Sequence, residues 1–388
     1  MADYPLDELS GQTPLEAAKT PHMDRIAACR IGRVQTIPAG FEPGSDVANL
    51  SLLGYDPSLY HTGRAPLEAA SMGINLKADQ VAFRMNLVTL DHKDENNIFM
   101  RSHSAGDIST EEARQLIDTL KKEMKIPDAK VYPGIAYRHL LIWDQGPIHS
   151  KTIPPHDVLD QNIAPYLCQS DQITAQIRKS WAILKEHPIN YARCAQGKKE
   201  ANSIWLWGQG TPPQLPSFEI RFGLTGGMIS AVDLLKGLGI YAGLEAPYVE
   251  GATGYLDTNY SGKVKKAIEV LKTHDFIFVH VEAPDEAGHN GNLNEKIQAI
   301  EYFDEKVVGS LIESIDCFAD YRIMVASDHY TPISKRTHTM EPAPFAWATK
   351  AELASNIRGQ EFTEKSSEKS DLFYNKGHDL IPAFLSKS

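Results

Sequence analysis

Two apolar runs of strand length, Phe276-Ile277-Phe278-Val279-His280-Val281 and Tyr321-Arg322-Ile323-Met324-Val325-Ala326, each lead directly into a cluster of carboxylates and imidazoles. Between them Ile297, Ile300, Phe303, Val307, Val308, Leu311 and Ile312 recur at spacings of three and four, with Glu301, Asp304, Glu305 and Lys306 opposite, the pattern of an amphipathic helix. Strand, helix and strand in that order predict a right-handed crossover with parallel strands. The residues that follow each strand then emerge at one carboxyl edge of the sheet, where ligand sites of α/β folds lie. Glu282-Ala283-Pro284-Asp285-Glu286-Ala287-Gly288-His289 follows the first run and Ser327-Asp328-His329 the second, so the two clusters are expected to converge.

Asp285 and His289 stand four apart, Asp328 and His329 are adjacent, and His338 follows in Thr337-His338-Thr339. Carboxylate oxygen and imidazole nitrogen are ligands of manganese, zinc or cobalt, and these groups exceed the needs of one tetrahedral ion. Two ions about 4 Å apart would clamp the attacking and the leaving oxygen of a phosphoryl transfer. The alternative is a set of solvated loop residues, since Asp and His are common in loops. Ser45, in Pro43-Gly44-Ser45-Asp46-Val47-Ala48-Asn49, stands where a turn enters a helix. There it is either a plain N-cap or, beside metal, a nucleophile whose hydroxyl proton is more easily lost.

The remaining sequence narrows the class. A chain of 388 residues allows two or three domains at roughly 150 residues each, and the alternation of strand-like and helical patterns is that of an α/β protein. Strands are expected at residues 81–88 and 137–143, a helix at 111–124, and a buried strand in the aromatic run 204–210; residues 364–370 read as an exposed loop. Pro-rich punctuation at Pro154-Pro155 and Pro212-Pro213 suggests a smaller domain, residues 76–214, inserted into one built from 1–75 and 215–388. A formal net charge of −11 disfavours nucleic acid as a partner, and no run approaches a membrane span. The four cysteines, Cys29, Cys168, Cys194 and Cys317, form no Cys-x-x-Cys pair, which fits a reducing cytoplasm. Arg64, Arg84, Arg138 and Lys236 are candidate partners for an anionic substrate, although single basic residues are more often solvated or paired at the surface.

The motifs Thr13-Pro14-Leu15-Glu16-Ala17-Ala18 with Thr20-Pro21, Pro43 to Asn49, Ala283 to His289, Ser327-Asp328-His329 and Thr337-His338-Thr339 resemble, in order and along the whole chain, the archaeal-type cofactor-independent phosphoglycerate mutases of the alkaline phosphatase superfamily. The resemblance implies a three-layer α/β/α metal-binding domain with a smaller inserted α/β domain. It implies two divalent ions, manganese first and cobalt, zinc or magnesium next, with Asp285, His289 and His338 on one and Asp328, His329 and Ser45 on the other. Ser45 would become phosphoserine while 3-phosphoglycerate and 2-phosphoglycerate interconvert, with no need for 2,3-bisphosphoglycerate. Members begin with a strand ending in Gly-Asp-Gly-Met whose Asp is a ligand of the second ion. The start Met1-Ala2-Asp3-Tyr4-Pro5 therefore implies that this first strand is missing and that the ion at Asp328 and His329 is held weakly, with Asp3 and Asp7 poor substitutes. The same motifs would serve a related phosphotransferase, such as the homoserine kinase proposed for a bacterial branch, or a phosphatase. A non-catalytic metal-binding α/β protein is the third reading.

Overall fold

The computed structural model describes residues 1–168, 171–355, 357 and 359–386, without the side chains of Cys168 and Asp171. Among these the chain forms β1 (Ile31–Val34), β2 (Gln80–Asp94), β3 (Asn97–Ser102), β4 (Ala129–Tyr132), β5 (Arg138–Asp144), β6 (Ser203–Gly210), β7 (Gly226–Ile229), β8 (Phe276–Val279), β9 (Arg322–Ala326), β10 (Ala343–Thr349) and β11 (Phe373–Tyr374). They divide between two compact units, residues 1–61 with 214–388 and residues 62–213.

In the first unit a mixed sheet runs β11-β1-β10-β9, and β7 pairs in parallel with β8. Side chains alternate across a strand, and the four-stranded sheet uses both faces. Ile31, Val325, Ala346 and Ala348 pack with Met23 and Ile26 of the helix Pro21–Ala27 and with Ile300, Val308 and Ile312. Their neighbours Phe345, Met324 and Trp347 pack instead with Leu52 of the helix Ser45–Leu52 and with Leu380. Helices thus cover the sheet on either side, the α/β/α layering expected from the sequence. The amphipathic run between β8 and β9 is helical throughout, as Leu293–Phe303, a π-helical turn at Asp304–Gly309, and Ser310–Ile315. Asp304 is buried in that turn and accepts the backbone N–H groups of His22 at 3.2 Å and Met23 at 2.7 Å, which satisfies the start of a neighbouring helix.

β8 and β9 end at the same site, as expected, but they are not hydrogen-bonded neighbours. A cavity of about 560 Å³ lies between them, lined by β8, β9, Met1, Asn49 and Leu52. The strands read as fully buried are accordingly half-buried along most of their length, and β1 is the first strand that the described chain forms. Asp3 is buried and committed to the Lys296 ammonium at 2.7 Å. Residues 364–369, read as an exposed loop, are a helix whose first residue, Glu364, is buried and accepts from Asp3 N at 3.0 Å and Thr13 Oγ1 at 2.8 Å.

The second unit is an antiparallel sheet in which β2 pairs with β3, β5 and β6, and β5 with β4. One face, with Phe83, Met85 and Leu206, packs on Leu116, Ile117 and Leu120 of the helix Thr110–Glu123 and on Ile173 and Ile177 of Asp171–Lys185. The other, with Ala82, Leu140 and Ile142, packs on Ala65 and Ala69 of the helix Ala65–Ser71. Because that helix covers the second unit's sheet, the boundary falls at 61/62 rather than 75/76, and the return at 213/214.

No helix among the described residues is long and apolar enough to cross a membrane. Cys29, Cys194 and Cys317 are free thiols, and the side chain of Cys168 lies outside the described residues.

Candidate metal centre

Gly44 precedes the helix Ser45–Leu52 in extended conformation and provides no side-chain cap. A Cβ there would lie 2.5 Å from Asp46 Oδ1, so any larger residue would have to displace that carboxylate. The Asp46 carboxylate is 2.8 Å from His61 Nε2, which ties this turn to the end of the first segment. Ser45 is not the N-cap. Its Oγ stands at the head of the helix, 3.1 Å from His329 Nε2. One turn on, Asn49 Nδ2 donates to Ser45 O and to Asp328 Oδ2, both at 2.9 Å. Asn49 therefore joins the Ser45 helix to the loop after β9, a role that sequence reasoning missed because asparagine there also reads as an ordinary helix residue.

The Asp328 carbonyl accepts from Thr36 Oγ1 at 2.6 Å, and Oδ1 accepts from His329 N at 3.0 Å. Asp285 and His289 lie one turn apart on the helix Ala283–Asn290. Asp285 Oδ2 is 3.3 Å from His289 Nε2, and Oδ1 is 3.4 Å from His338 Nε2. The His329 and His338 rings have centroids 3.9 Å apart. The five expected ligands and Ser45 are thus brought together, and donor atoms of Asp285, His329 and His338 all lie within 4.8 Å of one another.

The donor chemistry fits a cation. His289 Nδ1 is 3.0 Å from the Arg336 carbonyl and His338 Nδ1 is 3.4 Å from the Pro43 carbonyl. Carbonyl oxygens only accept, so both rings carry their proton on Nδ1 and direct Nε2 inward. Those two Nε2 atoms face each other at 2.9 Å beside the Asp285 carboxylate. Two lone pairs at that distance require either a proton or a metal ion between them. Electrostatics agree. Burial works to raise the Asp285 pKa, but hydrogen bonds from His289 and His338 and the neighbouring imidazoles hold it well below the usual carboxylate range. Burial, together with the charges of Asp285, Glu286 and Asp328, pushes the Glu282 carboxyl up to about 8.

In the metal-free protein a proton is expected in the ion's place. Burial lowers the His289 pKa, yet Asp285 outweighs it and raises the imidazolium to about 9. Since a ligand histidine must be neutral, metal uptake near pH 7.5 is expected to release about one proton. Affinity should rise about tenfold per pH unit toward pH 9 and then level off. Calorimetric titration of Mn²⁺ in buffers of different ionisation enthalpy measures that proton, and uptake with no proton released would contradict this account of His289.

The basic candidates divide between the two units. Lys236 lies on the helix Asp233–Tyr241 with Nζ 3.4 Å from Asp233 Oδ1. Arg64, Arg84 and Arg138 belong to the second unit. Arg84 lies on β2, 4.0 Å over the Trp207 ring and 3.1 Å from Glu68, and burial pulls its pKa down to about 10. Arg64 Nε is buried with no partner among the described residues, and Arg138 stacks over Tyr137 at 5.7 Å. On the same unit the His156 ring lies 5.5 Å from Trp207 and 6.2 Å from His103.

Comparison with known proteins places this geometry. A family model described as 2,3-bisphosphoglycerate-independent phosphoglycerate mutase matches residues 27–190, and one described as type I phosphodiesterase / nucleotide pyrophosphatase matches residues 157–381. The 2,3-bisphosphoglycerate-independent phosphoglycerate mutase of Methanosarcina barkeri is 50% identical over 387 residues, 98% of this chain and 96% of that protein. A probable mutase of the same name from Geobacter sulfurreducens is 46% identical over 391 residues, 100% of this chain and 98% of that protein. A solved Pyrococcus horikoshii protein superposes with a TM-score of 0.81 at 30% identity, covering 100% of this chain and 96% of that one. A cofactor-independent phosphoglycerate mutase from Thermoplasma acidophilum shares the fold at a TM-score of 0.60 and 24% identity, covering 100% of this chain and 97% of that one. With identity of this extent over nearly the whole chain, and the metal centre in place, the chain belongs to the cofactor-independent phosphoglycerate mutase family of the alkaline phosphatase superfamily.

Proposed function

We propose that this protein is a metal-dependent phosphoglycerate mutase that interconverts 3-phosphoglycerate and 2-phosphoglycerate through a phosphoserine at Ser45, without 2,3-bisphosphoglycerate. The observation that carries the reading is the position of Ser45. Its Oγ heads a helix and stands 3.1 Å from His329 Nε2, inside a cluster of acidic and imidazole ligands. In this reading Asp285, His289 and His338 hold one divalent ion, and Asp328, His329 and Ser45 the other, with manganese the first choice and cobalt, zinc or magnesium alternatives. Bound there, such ions polarise phosphoryl oxygens and favour the ionised serine.

The chain's own residues do the rest. Ser45 takes the phosphoryl group, and the N–H groups and dipole at the start of its helix favour the negative oxygens. Asn49 keeps Ser45 and Asp328 in register through its two hydrogen bonds. Arg64, Arg84, Arg138 and Lys236 are proposed as partners for the anionic groups of the substrate, so that the glycerate is retained and turns while Ser45 carries the phosphoryl group. The phosphoryl group then returns to the other hydroxyl.

Conversion of 3-phosphoglycerate with added Mn²⁺ and no bisphosphoglycerate tests the reading. Activity is expected to fall to background after chelation and to return with Mn²⁺. Phosphorylation of homoserine by ATP in place of this conversion would overturn the substrate, and ion-dependent stability without any turnover would favour a non-catalytic role.

A further inference from the structure

We propose that Thr331 is a positioning residue that serves both halves of the metal centre through one hydroxyl, orienting the Asp285 carboxylate while fixing His329 in the tautomer that presents Nε2 toward Ser45 and Asp328. The inference rests on the metal-dependent reading above. Thr331 is buried, at 1% exposure, in the loop after β9. Its Oγ1 is hydrogen-bonded to Asp285 Oδ1 and lies 3.2 Å from His329 Nδ1.

The proton count decides which way these bonds run. An ionised carboxylate only accepts, so the single hydroxyl proton goes to Asp285. The hydroxyl oxygen is then left to accept, and only Nδ1–H of His329 can donate to it. That places the ring proton on Nδ1 and the lone pair on Nε2. Nε2 is the atom 3.1 Å from Ser45 Oγ and 3.4 Å from Asp328 Oδ2. Without the hydroxyl, His329 Nδ1 would have only Asp285 Oδ1 at 4.0 Å to choose its proton for it, and either tautomer would serve. Ligand histidines gain direction and basicity from such a partner on the far nitrogen.

Thr331 is itself locked. Its N–H donates to the Ala2 carbonyl at 3.2 Å, and its carbonyl accepts from the buried Lys296 ammonium at 2.7 Å. Gly288, on the helix that carries Asp285 and His289, packs so closely that a Cβ there would lie 2.5 Å from Thr331 O and 3.0 Å from Cγ2. The hydroxyl therefore has a fixed origin, and neither of its partners can drift without losing it.

Thr331→Val keeps the shape and removes the hydroxyl, whereas Thr331→Ser keeps the hydroxyl and removes the methyl. Mn²⁺ binding is measured on each protein without substrate, and the ¹⁵N shifts of His329 are measured on the metal-free parent and variants. The parent is expected to show the Nδ1–H tautomer. Thr331→Val should lose it and bind Mn²⁺ about tenfold to a hundredfold more weakly, and Thr331→Ser should recover most of both. An Nε2–H tautomer in the parent, parental Mn²⁺ affinity in Thr331→Val, or a Thr331→Ser as weak as Thr331→Val would each overturn the proposal. The tautomer of the parent decides the matter even if Thr331→Val does not fold. A parent whose Mn²⁺ binding depends on this hydroxyl but which turns over no phosphoglycerate would sink the mutase reading and leave the role of Thr331 standing, whereas a parent that binds no Mn²⁺ would remove both.

Discussion

Replacing Ser45 by Ala is expected to lower phosphoglycerate interconversion by at least about a thousandfold while leaving ion uptake at Asp285, His289 and His338 near the parental level. The separation follows from geometry. Those three residues contact one another, the Nδ1 atoms of His289 and His338 face the Arg336 and Pro43 carbonyls, and none of these contacts uses Ser45. The Ser45 hydroxyl instead faces His329, so its removal deletes the proposed acceptor of the phosphoryl group and at most one proposed ligand of the other ion. Parallel measurement of turnover and Mn²⁺ stoichiometry checks both halves. Activity within tenfold of the parent would mean that another group receives the phosphoryl, and loss of all Mn²⁺ would mean that the two half-sites are not separable.

The cavity between β8 and β9 gives the second large effect. Among the described residues neither strand has a strand partner on the edge toward it, their carboxyl ends lie at the candidate metal centre, and Met1 lines the same space. A segment of about six Val- and Ile-rich residues fused ahead of Met1 is therefore expected to enter from the amino ends of both strands and pair parallel to each. Each buried side chain contributes about 1.5–3 kcal/mol, against roughly 1.5 kcal/mol per residue of ordering entropy, and the new ladder bonds add to the gain. The thermal midpoint should rise by about 5 °C or more, and amide hydrogens of β8 and β9 should exchange more slowly. An unchanged midpoint with unchanged exchange would show that the cavity does not accept a strand. The extended chain also tests whether the ion at Asp328 and His329 is held more tightly.

Much of this was legible in the sequence because apolar runs and ligand clusters are local signals. The strands at 276–279, 322–326, 203–210 and the first part of β2 stand where β-rich runs stand, and Asp285, His289, Asp328, His329 and His338 meet because each follows such a run or a nearby turn. What could not be read depends on partners far away in the chain. A threonine two residues past His329 carries no mark of its two contacts. The helix Ala65–Ser71 is small and apolar enough to suit either unit, and only its packing on Leu140 and Ile142 decides. Two strands joined by a helical crossover suggested parallel strands of one sheet, yet among the described residues β8 pairs only with β7 and β9 only with β10. Residues 364–369, polar enough for a loop, are helical because Glu364 is drawn inward by Thr13 and the backbone of Asp3.

That last contact reaches across 361 positions, and it belongs to one buried set with Asp3, Lys296 and Thr331. Glu364 follows Asp285, Asp328 and His338 in the chain, so during synthesis it is the last of these residues to leave the ribosome. Until then Asp3 has no Glu364 to receive its amide, and the Lys296 clamp beneath Thr331 is assembled on an unanchored amino end. The centre is consequently a late product of translation. A centre built on this set is expected to form fully only once residues far apart in the chain, Asp3 and Glu364 among them, have met.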